Sequence, residues 1–265
     1  MMARSDRRIP SGRLATGPPL RELILGTGEI HSRDGHTTLR LPSAGRETYS
    51  DAQLHDYAGL ARSDFPWRPP LAFSIRARLS GDIQGTAGFG FWNNPLGGIP
   101  ALPQAAWFLL ASPPSAMELA QDVPGSGWKA ATIDAGRPAA LGWAPFAPAV
   151  LLACHHPGLR RRIWPHVQRA LSVDERLLVH DPDWHTYEIL WFRRRVIFGV
   201  DGHQVLVSRN APRGPLGLVI WIDNQWARVT PSGSFGWGLL DATAPQSLEW
   251  ADLQIVCSGF APERS

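Results

Sequence analysis

The stretch WHTYEILWFRRRVIFGVDGHQVLV, residues 184–207, constrains the fold more than any other part of the chain. Tyr187, Ile189 and Trp191 recur at every second residue of its first arm, and Val196, Phe198 and Val200 do the same on its second. A period of two puts each set on one face of a β-strand. The basic run Arg193, Arg194, Arg195 falls between the arms, and Asp201-Gly202 marks a second tight turn directly after them. The segment therefore predicts an antiparallel ladder with one buried face.

Other segments repeat the signal. HTTLRL (36–41) reads as a first strand, and LAFSIRARLSG (71–81) as a half-buried one with Phe73, Ile75, Ala77 and Leu79 on one face. TAGFGFWNN (86–94) is a strand whose Gly88 and Gly90 clear one face for a close approach to the backbone. AAWFLLAS (105–112), GWKAATID (127–134), the start of GPLGLVIWIDNQWARVT (214–230) and SLEWADLQIVCS (247–258) complete the set. YSDAQLHDYAGL (49–60) reads as irregular. Between 138 and 178 apolar residues take a helical spacing in pieces, and Pro157 and Pro165 are expected to break it into two or three short helices. Many short strands with one helical insertion predict an all-β, antiparallel jelly-roll sandwich. A leader over residues 1–20 would precede a single domain over 21–260.

Composition narrows the function classes. With 44% hydrophobic and 18% charged residues the 265-residue chain is globular and long enough for a large core. Its net charge is only +3, and neither basic run (160–162, 193–195) lies in a nucleic-acid-binding motif, so nucleic acid is not expected as a partner. No stretch has the length and apolarity of a membrane span, and the N-terminal residues do not read as a secretory signal, so a cytoplasmic location is expected. Cys154 and Cys257 have no partners at metal-ligand spacing, and their spacing does not establish a pair. Twelve tryptophans exceed what a core alone needs, and a Trp-rich surface suits sugars or flat apolar ligands.

The order of the strands resembles the concanavalin A-like lectin/glucanase superfamily, and most closely glycoside hydrolase family 16. Three segments carry the resemblance over about residues 36–258: FSIRARLSGDIQGTAGFGFWNN (73–94), the WHTYEILW…VIFGVDG hairpin (184–202) and ADLQIV (251–256). It implies the jelly-roll fold and a concave sheet that holds the ligand. It also implies catalysis by Glu-x-Asp-x-x-Glu on one strand, whose carboxylates all face the substrate. None of the 23 acidic residues here has that spacing, and the strand in the expected place, AAWFLLASPPS, has no acid. In many relatives a last-strand aspartate helps hold a structural calcium, which makes Asp252 the matching position; otherwise no cofactor is implied.

Candidate residues cluster in two places. Trp92, Asn93 and Asn94 end one strand and form either a stacking and hydrogen-bonding platform or an Asn-rich turn. Trp221, Asp223 and Asn224 lie in WIDNQWA; Trp221 and Asp223 share parity and could both face the cleft, while a capped turn is the plainer alternative. With Trp107 these residues outline a Trp-lined groove for a glycan or a small amphipathic molecule. Were the chain catalytic with relocated carboxylates, Asp223 and Glu118 would be the first candidates, and an isomerase, cyclase or lyase on the same fold is a further reading. Asp181, Asp183 and His185 alternate as a cation-binding trio could, or as a loop entering a strand does. His155 and His156 diverge on a helix and cannot chelate together, and His166 lies in the same insertion. The insertion itself could form a lid over the concave sheet, a membrane-resting surface or a packed helical pad.

Overall fold

The computed structural model describes residues 13–14 and 17–257. In chain order the strands are β1 (Arg13–Leu14), β2 (Arg21–Leu25), β3 (Glu29–Arg33), β4 (His36–Leu41), β5 (Asp51–His55) and β6 (Leu71–Leu79). Next come β7 (Thr86–Trp92), β8 (Gln104–Ala111), β9 (Ala116–Met117) and β10 (Gly127–Asp134). Three helices follow, α1 (Pro138–Trp143), α2 (Ala147–Cys154) and α3 (Pro157–Ala170). The chain then returns to strands: β11 (Asp174–Leu178), β12 (His185–Trp191), β13 (Val196–Val200), β14 (His203–Ser208), β15 (Gly217–Asp223), β16 (Gln225–Val229), β17 (Phe235–Leu239) and β18 (Gln246–Cys257).

The strands form an antiparallel jelly-roll sandwich. One sheet runs β14-β13-β12-β6-β18-β4-β3, with β1 added to β18; the facing sheet runs β11-β10-β8-β7-β15-β5-β2. A small third sheet orders β17-β16-β9. Alternation sorts the residues. Phe73 and Ile75 of β6, Tyr187, Ile189 and Trp191 of β12, and Phe198 of β13 meet Phe89, Phe91, Phe108, Trp128 and Ile220 of the other sheet in one buried core. Edge-on aromatic contacts knit it, with Phe108 and Phe198 at 5.3 Å and Phe89 and Tyr187 at 5.1 Å between centroids.

The opening stretch folds as its alternation requires. β12 and β13 pair Trp191 with Val196, and Asp201 and Gly202, at φ 50° and 75°, make the second turn into β14. Those two positive values are what a two-residue hairpin turn needs, and Asp and Gly tolerate them. Two expectations give way. Residues 51–55 form a strand, because Ala52 and Leu54 fill the core while Asp51, Gln53 and His55 point the other way. Pro165 lies inside α3 without ending it, and only Pro157 acts as a boundary, at the helix start. The carbonyl that Pro165 leaves unbonded belongs to Arg161, an exposed residue, so water can complete it. The insertion also ends earlier than expected, since Asp174–Leu178 is strand. Most of the leader lies outside the described residues; Arg13 and Leu14 pair with Cys257 and Val256. Cys154 and Cys257 are both free thiols.

Candidate functional site

The outer face of the seven-stranded sheet is where aromatic side chains leave the core. On β15 the inward residues Leu218, Ile220 and Ile222 join the main core, so Val219, Trp221 and Asp223 face out. The same parity turns Trp107 and Leu109 of β8 outward, beside Trp92 at the end of β7. Trp92 and Trp107 lie 6.0 Å apart between centroids, and Trp107 and Trp221 lie 5.6 Å apart. Trp92 and Trp107 remain partly exposed, whereas Trp221 is 8% exposed. The two glycines of β7 make this row possible. A Cβ on Gly88 would stand 2.3 Å from the Phe108 carbonyl oxygen and 2.8 Å from Cη2 of Trp221; one on Gly90 would meet the Trp107 Cα at 2.6 Å. What approaches the cleared backbone is thus the protein's own indoles and the neighbouring strand.

A polar row borders the indoles. The Trp92 indole N–H donates to the Tyr57 hydroxyl at 2.8 Å, and Gln53 Nε2 lies 3.0 Å from His55 Nδ1 and 3.4 Å from the Tyr57 hydroxyl. Burial lowers the pKa of His55, which favours the neutral imidazole. Tyr57 stacks on Phe65 at 4.9 Å and is fixed from both sides.

At the end of the row stands a pair of carboxylates. Asp51 and Asp223 face each other across β5 and β15, 2% and 5% exposed. Asp223 accepts from the Thr86 backbone N–H at 3.1 Å, the Thr86 hydroxyl at 2.8 Å, the Gln225 N–H at 3.1 Å and the Tyr49 hydroxyl at 3.3 Å. The Thr86 hydroxyl also accepts from the Trp221 indole N–H at 2.9 Å, which ties the pair to the aromatic row. Burial, and then the neighbouring charge of Asp223, push Asp51 up to about 8; burial pushes Asp223 up to about 6 against its hydrogen bonds. Two buried acids side by side favour sharing a proton over carrying two charges. Asp51 Oδ1 is buried with no hydrogen-bond partner, so the pair has one acceptor to spare.

The other sequence candidates are placed differently. Asn224 is fully buried: its amide donates to the carbonyls of Gly45, Thr48 and Leu240, and its oxygen accepts from the Ser50 N–H. That geometry makes it a clasp for two loop segments, 45–50 and the one at Leu240, with neither end of the amide turned to a ligand. Asn93 likewise donates to the Leu102 carbonyl and accepts from the Gln104 N–H, closing its loop onto β8. Asn94 takes φ 44° in the turn, and its carbonyl accepts from Arg62. Glu118 bonds through its backbone to Val229 of the small third sheet and is not among the hydrogen-bond partners of Asp223. Asp252 is exposed at φ 52°, in the bulge where β18 slips against β6. His185 bridges turns, with Nδ1 at 2.6 Å from Asp201 and Nε2 at 3.8 Å from Asp181; the Asp181 carboxylate accepts from the Asp183 N–H at 2.9 Å. His155 and His156 are exposed in the turn between α2 and α3, not on a helix as expected, and His166 is exposed on α3. Among the described residues no group of three or more His, Cys, Asp or Glu side chains is arranged to hold a metal ion. Asp51, Gln53, His55 and Tyr57 are site residues that the sequence reading missed; the alternation of Ala52 with Leu54 was the available signal.

The far side of the face is closed. Lys129 and Glu175 form a buried ion pair at 3.3 Å, and the loop after β9 covers it. The Trp164 indole of α3 holds that loop by donating to the Leu119 carbonyl at 3.1 Å, and a Cβ on Gly233 would meet the Leu151 side chain of α2 at 3.4 Å. Helix α3 is thereby tied to the loop beside this face.

No protein-family model matches this chain, and no curated protein matches it. Solved structures do match. One belongs to work on endo-acting O-glycanases of the human gut microbiota that initiate mucin breakdown: 11% identity, 92% of this chain and 94% of that one, TM-score 0.50. Another is the catalytic domain of an endo-1,3-β-glucanase (laminarinase) from Thermotoga petrophila: 13% identity, 93% and 98% covered, TM-score 0.47. A third is an immunostimulatory antigen and pseudo-β-1,3-glucanase of Mycobacterium tuberculosis: 11% identity, 85% and 76% covered, TM-score 0.46. At such identities the likeness is one of fold.

Proposed function

We propose that this chain binds a glycan or another small amphipathic ligand along the Trp92–Trp107–Trp221 row. The observation that carries the reading is the row itself: three adjacent indoles at 6.0 and 5.6 Å, two of them partly exposed, beside the polar line of Tyr57, Gln53 and His55. Sugar rings and flat amphipathic molecules present an apolar face to stack and polar edges to hydrogen-bond, which such a surface matches. Trp107, Leu109 and Ala111 occupy the outer face of β8, so this strand offers no carboxylate to a ligand lying across it. That supports binding over hydrolysis of the retaining kind, which needs two carboxyl groups flanking the scissile bond.

The test is a titration of the full chain, followed by tryptophan fluorescence, with neutral oligosaccharides, mucin-type O-glycans and an apolar dye. Saturable binding of one class that Trp107→Ala weakens roughly tenfold supports the reading. Absence of saturable binding by every class rejects it. A second reading rests on one observation, the Asp51–Asp223 pair at the end of the row: a shared proton there could serve acid–base chemistry. Turnover of a bound glycan that Asp51→Asn and Asp223→Asn each abolish, in folded protein, would establish it; binding without turnover leaves the first reading standing.

A further inference from the structure

The basic run of the β12–β13 hairpin lies apart from the groove. Arg193, Arg194 and Arg195 join Arg137 and Arg209 to line one cleft of about 450 Å³, and no carboxylate is among its described lining residues. Three separate segments bring these guanidinium groups together, and each is anchored. The hairpin turn is closed by the Phe192 N–H donating to the Arg195 carbonyl at 2.8 Å, and the Arg195 guanidinium rests on the Phe192 ring at 5.1 Å. Arg137, just before α1, donates to Asp134 at 3.2 Å and to the Ala211 carbonyl at 2.6 Å. Arg209 is flanked by Ser208 and Asn210, which both donate to Asp174, at 2.6 and 3.0 Å. Among the described residues, Asp174 holds the side chains on either side of Arg209, and Asp134 pairs with Arg137 and Arg213.

We propose that this cleft binds a compact polyanion bearing two or more phosphate or sulfate groups, at a site separate from the aromatic row. Guanidinium groups bind oxyanions through paired, charge-assisted N–H donors. Arg193, Arg194 and Arg209 around one hollow match several oxyanions on a single small body. The volume falls in the range of small-molecule sites, and the convergence from three segments suits a compact ligand better than a long strand.

Inorganic tripolyphosphate and a fully sulfated disaccharide, titrated against the full chain at about 0.15 M salt to screen diffuse attraction, test the assignment. Saturable binding of either supports it, and which of the two binds tells a phosphorylated from a sulfated source. Combined Arg193→Ser, Arg194→Ser and Arg209→Ser should then weaken binding roughly tenfold or more while melting temperature and groove binding stay unchanged. Should that triple variant lose its fold, Arg209→Ser alone, at an exposed side chain, carries the same comparison. No saturable binding of either polyanion overturns the proposal, as does binding indifferent to the substitutions. Tighter binding of single-stranded DNA that grows with its length overturns it in favour of a nucleic-acid surface.

Discussion

Asp51 states the energetic problem of this molecule at the smallest scale. A carboxyl whose value rises to about 8 in the folded chain keeps a proton that the unfolded chain has already lost above the ordinary carboxylate value. The native state therefore binds more protons across that window, and stability must fall as pH rises from about 4 to about 8. Asp51→Asn removes this linkage. Melting curves should show the variant gaining on the wild type at about pH 9 and losing that advantage at about pH 5; parallel curves would mean that Asp51 is ionised in the native state. Asn224 tests the opposite role. Asn224→Ala removes hydrogen bonds from three carbonyls and strands the buried Ser50 N–H, so it should cost about 1–3 kcal/mol of stability while leaving ligand affinity of the folded fraction unchanged. A variant that keeps its stability and loses the ligand would reverse that assignment. Sequence alone could not separate Asn224 from Asp223, because both are polar residues beside an apolar run. Only tertiary contacts show that one clasps loops and the other is linked through Thr86 to the aromatic row.

Among the elements, β12 and β13 were legible because a period of two is dictated locally, and β15 because its run of apolar residues is continuous. Strand β5 was not, although it follows the same rule. Its outward residues Asp51, Gln53 and His55 are polar and lie on the outer face beside the aromatic row, and that polarity hid the strand. The same conflict explains α3, where packing of Trp164 and Ala170 overrides a proline that local preference would treat as a stop. Strand β7 offers the sharpest test. Gly88→Ala must push both the Phe108 carbonyl and the Trp221 ring, since the new Cβ would meet them at 2.3 and 2.8 Å. A loss of about 1–3 kcal/mol is expected, with weakened groove binding, measured by thermal melting and titration. An unchanged melting temperature would mean that β7 and β8 slide apart freely.

For the whole molecule, the order of strands makes the ends depend on each other. β18, at 246–257, lies between β6 and β4 in the middle of its sheet, and β15 reaches back to β5 across more than half the chain. Deleting residues 246–257 removes a central strand and leaves two edges where a continuous ladder stood. The product should lack a cooperative unfolding transition by circular dichroism. A truncated chain that still melts cooperatively would show that the two halves of that sheet are independent. No helix of the described chain is long and apolar enough to cross a membrane. The sandwich architecture could be read from strand spacing. The identity of the outer face could not, because which face a strand buries depends on partners distant in sequence.

The aromatic row has an optical consequence. Indole transitions held 5.6 and 6.0 Å apart couple strongly, so Trp92, Trp107 and Trp221 should absorb in part as one delocalised chromophore. Such coupling appears as a paired positive and negative band in the far-ultraviolet dichroism spectrum, superimposed on the β-sheet signal. Trp107 is the middle member, so its replacement should abolish the band pair while the sheet signal persists. A molecule lying across the rings alters their polarisability and orientation, which gives the protein a label-free reporter of its own occupancy.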